Sequence, residues 1–206
     1  QTVQFHNLSA KAACELMEKA LDAGIVTRGG GGDFPRNVMA SPLSGAEQGE
    51  YFDVLPMAEA VSDYLLGMIK AVKMPRKLKV CFSNSPANET HATFRDLGFA
   101  AQADGTFTVY SAGGLGKNPR MGVKIAEHVE PSDVLYYVKA MVDTFVAYGD
   151  YENRGRARTR YMQDKLGAEG YRAAFLEKLA QVKAEENLKI NTEPETLKKT
   201  EDGTEA

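Results

Sequence analysis

The sequence predicts an α+β fold, a mixed β-sheet flanked by helices over residues 25–165. Two observations carry the prediction. Between 77 and 111, apolar and polar residues alternate with a period of two, the signature of strands with one packed face. On either side, at 54–70 and 131–148, apolar residues recur with helical spacing.

In chain order, Val3 and Phe5 alternate with Gln4 and His6, so residues 1–6 are expected to form a strand. Ser9 is placed to cap a helix that runs to about Ala23, with Leu8, Ala12, Leu16 and Ala20 on one side and Gly24 as its stop. Ile25 and Val26 lead into four glycines, Gly29–Gly32, then Asp33, Phe34, Pro35, Arg36 and Asn37. A glycine run is by default a flexible linker. Arg36 and Asn37, set before the apolar Val38-Met39-Ala40, favour a loop that delivers a charged side chain from a strand entry. Residues 43–53 are polar and expected on the surface. The helix at 54–70 follows, with Ala58, Val61, Leu65, Met68 and Ile69 on its apolar face.

The strand Lys77–Ser83 puts Leu78, Val80 and Phe82 on one face and Lys77, Lys79 and Cys81 on the other. Lys77 and Lys79 then stand about 7 Å apart. Two readings stand. The lysines guard an edge strand against aggregation, or they hold an anion between them, which relieves their mutual repulsion. Turn-forming residues fill 83–88. Phe94–Ala101 and Thr106–Ser111 read as two strands around Asp104-Gly105. A second glycine loop spans Gly113, Gly114, Leu115 and Gly116. Pro131 suits the first turn of a helix that packs Leu135, Val138, Met141, Val142 and Phe145 inward and closes at Gly149. Arg154, Arg156, Arg158 and Arg160 are spaced by two, which on a helix scatters them over a solvated face. A last helix, 168–183, packs Tyr171, Phe175, Leu179 and Val182, and the charged end 185–206 reads as a linker or disordered tail.

A formal charge of −3 argues against nucleic-acid or membrane-surface partners. Cys14 and Cys81 have neither metal-ligand nor disulfide spacing, so no metal site is legible and a reducing cytoplasm fits. Neither glycine loop carries a Walker lysine or the spaced glycines of a dinucleotide fingerprint.

Four segments occur in order: Gly32-Asp33-Phe34-Pro35-Arg36-Asn37-Val38, Pro75-Arg76-Lys77-Leu78-Lys79, Gly113-Gly114-Leu115-Gly116, and Asn153-Arg154-Gly155-Arg156-Ala157-Arg158-Thr159-Arg160-Tyr161. Together they resemble the sirohaem-dependent sulfite and nitrite reductases, over residues 1 to about 180. Gln1–His6 also resembles a strand of that family. The resemblance implies an enzyme of two related halves around a sirohaem whose iron is bridged to a 4Fe-4S cluster. It assigns residues 1–24 to the end of a ferredoxin-like half-domain and 25–166 to the first sirohaem-binding domain, followed by a helix at 167–184 and the tail. The cluster cysteines belong to a second half that this chain lacks, so the chain is expected to be part of a longer protein and inactive alone.

By the same resemblance, Arg36, Lys77 and Lys79 line the substrate pocket as catalytic residues. Gln4, His6, Asn37, Arg76, Gly113, Gly114 and Gly116 contact the macrocycle and its carboxylates, although a strand histidine is as readily satisfied by a neighbour. The implied reaction is six-electron reduction of sulfite to sulfide, fed by ferredoxin or a flavoprotein. Lys79 stands where nitrite reductases of the family usually carry Asn, which favours sulfite over nitrite. A non-catalytic anion-binding module is the alternative.

Overall fold

The computed structural model describes residues 3–191. Five strands, β1 (Pro35–Met39), β2 (Leu78–Ser83), β3 (Leu97–Ala101), β4 (Phe107–Ser111) and β5 (Val123–Val129), lie side by side in chain order. β1, β2 and β3 run parallel; β3, β4 and β5 run antiparallel. The sheet is therefore mixed, as expected. Four helices accompany it: α1 (Ala10–Asp22), α2 (Leu55–Gly67), α3 (Val134–Tyr148) and α4 (Met162–Glu185).

The period-two pattern explains how the layers meet. Leu78, Val80 and Phe82 of β2, Leu97 and Phe99 of β3, Phe107 and Val109 of β4 and Ile125 of β5 are all fully buried. They join Met57 and Val61 of α2, Val138, Met141 and Phe145 of α3 and Tyr171 and Phe175 of α4 in one core. α2 packs on β1 and α3, α3 on α4, and α4 on β5, so three helices form a layer over this side of the sheet. Stacked Phe82 and Phe99, with ring centroids 4.8 Å apart, sit at its centre. The opposite side carries the outward residues of β2, Lys79 among them.

Local signals act as anticipated at several points. Ser9 Oγ accepts the Ala12 N–H at 3.2 Å, and Gly24, at φ 75°, ends the α1 turn. Asp104 Oδ1 accepts the Thr106 N–H at 3.1 Å and closes the β3–β4 turn, with Gly105 at φ 83°.

Elsewhere the structure corrects the expectation. Residues 3–6 form no strand; Val3 and Phe5 are exposed and have no ladder beside them, while residues 1 and 2 lie outside the described residues. α1 buries none of its side chains. Arg36 and Asn37, read as a loop at a strand entry, lie within the strand β1 itself, and β5 was not anticipated. β3 begins only at Leu97, after a single helical turn at Ala92–Phe94. The 43–53 segment is not a plain surface loop. The Asn84 amide donates to Glu47 at 2.8 Å and Glu50 at 2.9 Å, and this pins the segment so that Ser44 and Phe52 are buried. The 154–160 segment is two single turns rather than one helix face, and Gly167, at φ 70° and ψ 168°, kinks α4 before the expected helix begins. The start of the expected tail is docked: the Ile190 N–H reaches Ser132 O at 3.1 Å and Lys189 pairs with Asp133 at 2.9 Å. Its remainder, 192–206, lies outside the described residues.

Candidate functional site: a cationic cluster at the β1–β2 edge

Pairing of β1 with β2 sets Pro35 opposite Leu78 and Val38 opposite Val80. Two residues, Arg36 and Asn37, therefore share the space opposite Lys79 alone. This is a β-bulge, which bends a strand and re-aims its side chains. Asn37 takes φ 59°, a left-handed conformation that Asn tolerates better than most residues. Pro35 is buried and Val38 packs against the core, so the bulge leaves Arg36 and Asn37 on the side of Lys77 and Lys79.

The four-glycine run is not a free linker. It wraps back so that Gly30 O accepts a hydrogen bond from Arg36 Nη1 at 2.5 Å. Gly29 and Gly32, at φ 84° and 83°, hold the left-handed backbone that this return needs.

Three cationic side chains, Arg36 on β1, Lys77 just before β2 and Lys79 on it, form a chain of mutual repulsion. Burial lowers the pKa of Arg36, and Arg76 and Arg158 lower it further, against an opposing pull from Asp33. Burial also lowers Lys77, with Arg36, Arg158 and Arg76 adding repulsion and Asp96 opposing. Lys79 is lowered by burial first, then by Lys77 and Arg158, with Asp96 again opposing. Arg36, Lys77, Lys79 and Arg76 thus occupy one electrostatic neighbourhood.

Two carboxylates organise it. Asp33 binds Arg76 at 2.9 Å and Arg154 at 2.8 Å, and the Arg154 hydrogen bond holds its pKa below the usual carboxylate range. Asp96 is 2% exposed. It accepts the Lys79 backbone N–H at 2.9 Å, two bonds from Arg158 Nη2 at 2.9 and 3.1 Å, and the Thr159 hydroxyl. The backbone beside it anchors the second glycine loop, with Ala112 N–H donating to Asp96 O and Gly113 N–H to Arg95 O, both at 2.8 Å.

That loop lies on Arg160. A Cβ at Gly114 would stand 3.1 Å from Arg160 Nη1, and one at Gly116 3.3 Å from Nη2. Gly113 is tighter, with the Phe94 backbone 2.9 Å from where a Cβ would be. Arg160 lies over the Tyr161 ring at 4.7 Å, and the Tyr161 hydroxyl accepts from Asn118 at 3.1 Å.

The arginines spaced by two are therefore only in part a solvated face: Arg154 and Arg156 are exposed, while Arg158 and Arg160 are half-buried. Arg154 pairs with Asp33, Arg156 with Asp164 at 2.8 Å, Arg158 with Asp96, and Arg160 with the glycine loop. Asp33, Asp96, Arg158 and Arg160 went unassigned in the sequence. The signal was there: spacing by two matches an extended or single-turn segment, and Asp96 directly precedes an apolar strand. Gln4 and His6 sit on the exposed stretch before α1, outside regular structure.

Among the described residues, the buried Nε atoms of Arg36, Arg158 and Arg160 have no hydrogen-bond partner. Buried donors without acceptors are unfavourable, and an anionic ligand would satisfy them. Close-packed glycine backbone, clustered cations and orphan donors fit a flat macrocycle bearing many carboxylates. An iron–sulfur cluster does not fit. Cys14 is exposed on α1, Cys81 is buried in β2, and no group of three or more His, Cys, Asp or Glu side chains is arranged for a metal among the described residues.

A family profile described as "Nitrite and sulphite reductase 4Fe-4S domain" matches residues 31–183. The sulfite reductase [NADPH] hemoprotein beta-component of Thiocapsa roseopersicina is 28% identical over 205 residues, covering 84% of this chain and 36% of the relative. The ferredoxin–nitrite reductase of Synechococcus elongatus is also 28% identical, covering 86% of this chain and 36% of the relative. In fold, the chain resembles the Mycobacterium tuberculosis NirA protein, with a TM-score of 0.69 at 23% identity, over 90% of this chain and 34% of that one. The chain thus spans little more than a third of the length of these relatives.

Proposed function

Since the chain belongs to the nitrite and sulphite reductase 4Fe-4S domain family, we propose that it supplies the cationic wall of an oxyanion-reducing site, with sulfite as substrate. The observation that carries the reading is the gathering of Arg36, Lys77 and Lys79 on one side of a bulged strand pair, with every ionised form disfavoured by burial and like charge. A bound oxyanion removes that penalty. The Arg36 guanidinium offers a planar fork for two oxygens, and the two ammonium groups offer rotatable donors.

Their lowered pKa values also suit proton transfer. A lysine that gives up its proton more readily is a better general acid. Removing each oxygen of sulfite as water consumes protons, and Lys77 and Lys79 are the groups we assign to deliver them. Sirohaem, when bound, supplies the iron at which the electrons are transferred. In this reading Arg76, Asn37, Gly113, Gly114 and Gly116 receive its edge and carboxylates, with Gln4 and His6 completing the set. No residues of this chain fit the 4Fe-4S cluster, so the proposal places its ligands, and entry of electrons from a ferredoxin or flavoprotein, on sequence outside it. The chain by itself then produces no sulfide from sulfite with a viologen donor.

Nitrite is the second reading, favoured by the nitrite reductase among the relatives. Both readings share one test. Protein purified from cells that make sirohaem should carry a haem spectrum that co-elutes with it, and Lys77→Ala together with Arg36→Ala should lose sulfite-induced changes in that spectrum. A haem-loaded double variant that still responds fully to sulfite would overturn the assignment.

A further inference from the structure

We propose that Asp96 is the positioning residue of the cluster: its buried carboxylate locks Lys79 and Arg158 together as one anion-facing unit, which makes Arg158 a further oxyanion contact. The inference rests on the oxyanion-site reading above and adds two residues to it.

The geometry is specific. Asp96 stands just before β3 and joins three segments: β2, the 158–159 stretch and the start of the second glycine loop. Its carboxylate takes the Lys79 N–H of β2 at 2.9 Å and both Arg158 bonds, and its backbone carbonyl takes the Ala112 N–H that starts the glycine loop. A fourth carboxylate bond comes from Thr159, adjacent to Arg158, so the arginine is fixed from two directions. Both Arg158 bonds use Nη2, while its buried Nε has no partner among the described residues. A guanidinium held by one corner presents its remaining donors to a ligand.

The backbone of Asp96 is itself anchored below. Ser111 Oγ donates to Asp96 O at 3.1 Å and meets the hydroxyl of Tyr171, a fully buried residue, at 2.8 Å. A carboxylate 2% exposed and bonded to three segments is rigid, and rigid support is what a binding side chain needs to keep its geometry.

Charge follows position. The groups acting on Lys79 are Lys77 on β2, Arg158 from the segment after α3, and Arg95 and Asp96 ahead of β3. Of these, Asp96 alone favours the protonated amine; the other three disfavour it. Removing Asp96 and removing Arg158 must therefore move Lys79 in opposite directions.

The experiment follows the Lys79 side-chain NMR resonance through its titration, with calorimetric binding of sulfite, and of sulfate as control, across the same pH range. Asp96→Asn should shift the Lys79 midpoint down, and with it the alkaline limit of sulfite binding. Arg158→Gln should shift the midpoint up and weaken sulfite binding at every pH. Thr159→Val keeps all charges, and should loosen Arg158 while leaving the midpoint in place. If Asp96→Asn does not fold, the other two variants still carry the test. Opposite shifts support the positioning role. Shifts of the same sign, or an Arg158→Gln protein with wild-type midpoint and affinity, would show Asp96 to be a staple of the fold alone. Absence of sulfite binding by the wild type would instead sink the oxyanion reading, while the Lys79 shifts remained readable.

Discussion

Replacing Lys79 by Asn asks whether the second lysine of β2 selects the substrate. The backbone N–H of Lys79 stays on Asp96, so strand pairing is retained and only the ammonium is exchanged for a neutral amide. A hydrogen bond from a charged donor contributes ~1.5–3 kcal/mol, against ~0.5–1.5 for a neutral one. Sulfite near neutral pH carries up to one negative charge more than nitrite. One additional unit charge about 4 Å away is worth ~1–4 kcal/mol between bulk-water and protein-surface dielectric values. Lys77, Arg158 and Arg95 remain nearby and share that load, which favours the lower end. The expected loss in kcat/KM for sulfite is about ten-fold or more, with a few-fold loss for nitrite. Both substrates would be assayed with one artificial donor, in wild type and variant of the longest active protein that contains this chain. Equal losses would refute the reasoning and mean that Lys79 positions the site without selecting its anion.

Three further outcomes are expected. Gly98→Ala drives a methyl group into the Ala92 carbonyl behind β3, an overpacking of ~1–3 kcal/mol that should lower Tm by roughly 5 °C, read by circular dichroism; an unchanged Tm would contradict the packing described. Asp33 has its pKa lowered by Arg154 and Arg76, so its stabilising share is fully present above its unfolded pKa and fades as pH falls through the folded one. Urea midpoints measured from pH 6 down to 2 should therefore fall less in Asp33→Asn than in wild type, and parallel curves would show that the two ion pairs contribute nothing. Burial raises the Cys81 thiol to about 11, whereas Cys14 is exposed, so a thiol reagent at pH 8 should label one cysteine quickly in the native protein and both in denaturant.

The parts of the fold that the sequence disclosed are those where one period runs uninterrupted. β2 alternates from Leu78 to Phe82 without a break, and α2 and α3 keep their apolar faces throughout. The missed strands both carry irregularities. β1 spends two residues opposite one at Arg36–Asn37, so its short run never alternates. In β5 the register shifts between its pairings with Val109 and Phe107, and His128 takes φ 54°, so Val123 and Ile125 start a pattern that Ala126–Val129 does not continue. Residues 3–6 err the other way: they alternate well, but no neighbouring strand exists to pair with them among the described residues. At the site, Arg36, Lys77 and Lys79 were named through the motifs that carry the family resemblance, since two lysines on a strand face can equally be edge guards. Asp33 and Asp96 were not, since a carboxylate's partners 121 and 62 residues distant leave no trace in local spacing.

Those separations bear on how the molecule comes together. β3, β4 and their short turn lie within fifteen residues, so that hairpin closes a small loop. The cluster requires Asp33 to meet Arg154 across 121 residues and Asp96 to meet Arg158 across 62. Closing large loops is entropically disfavoured until other contacts offset it, and non-local pairing is slow for that reason. A refolding chain should thus protect the amides of β3 and β4 before those of Asp33, Lys79 and Arg158, an order that pulse-labelled hydrogen exchange would read and that simultaneous protection would refute. Anion binding is then a late-acquired property, one that reports completion of the whole domain rather than of the strands that carry the lysines.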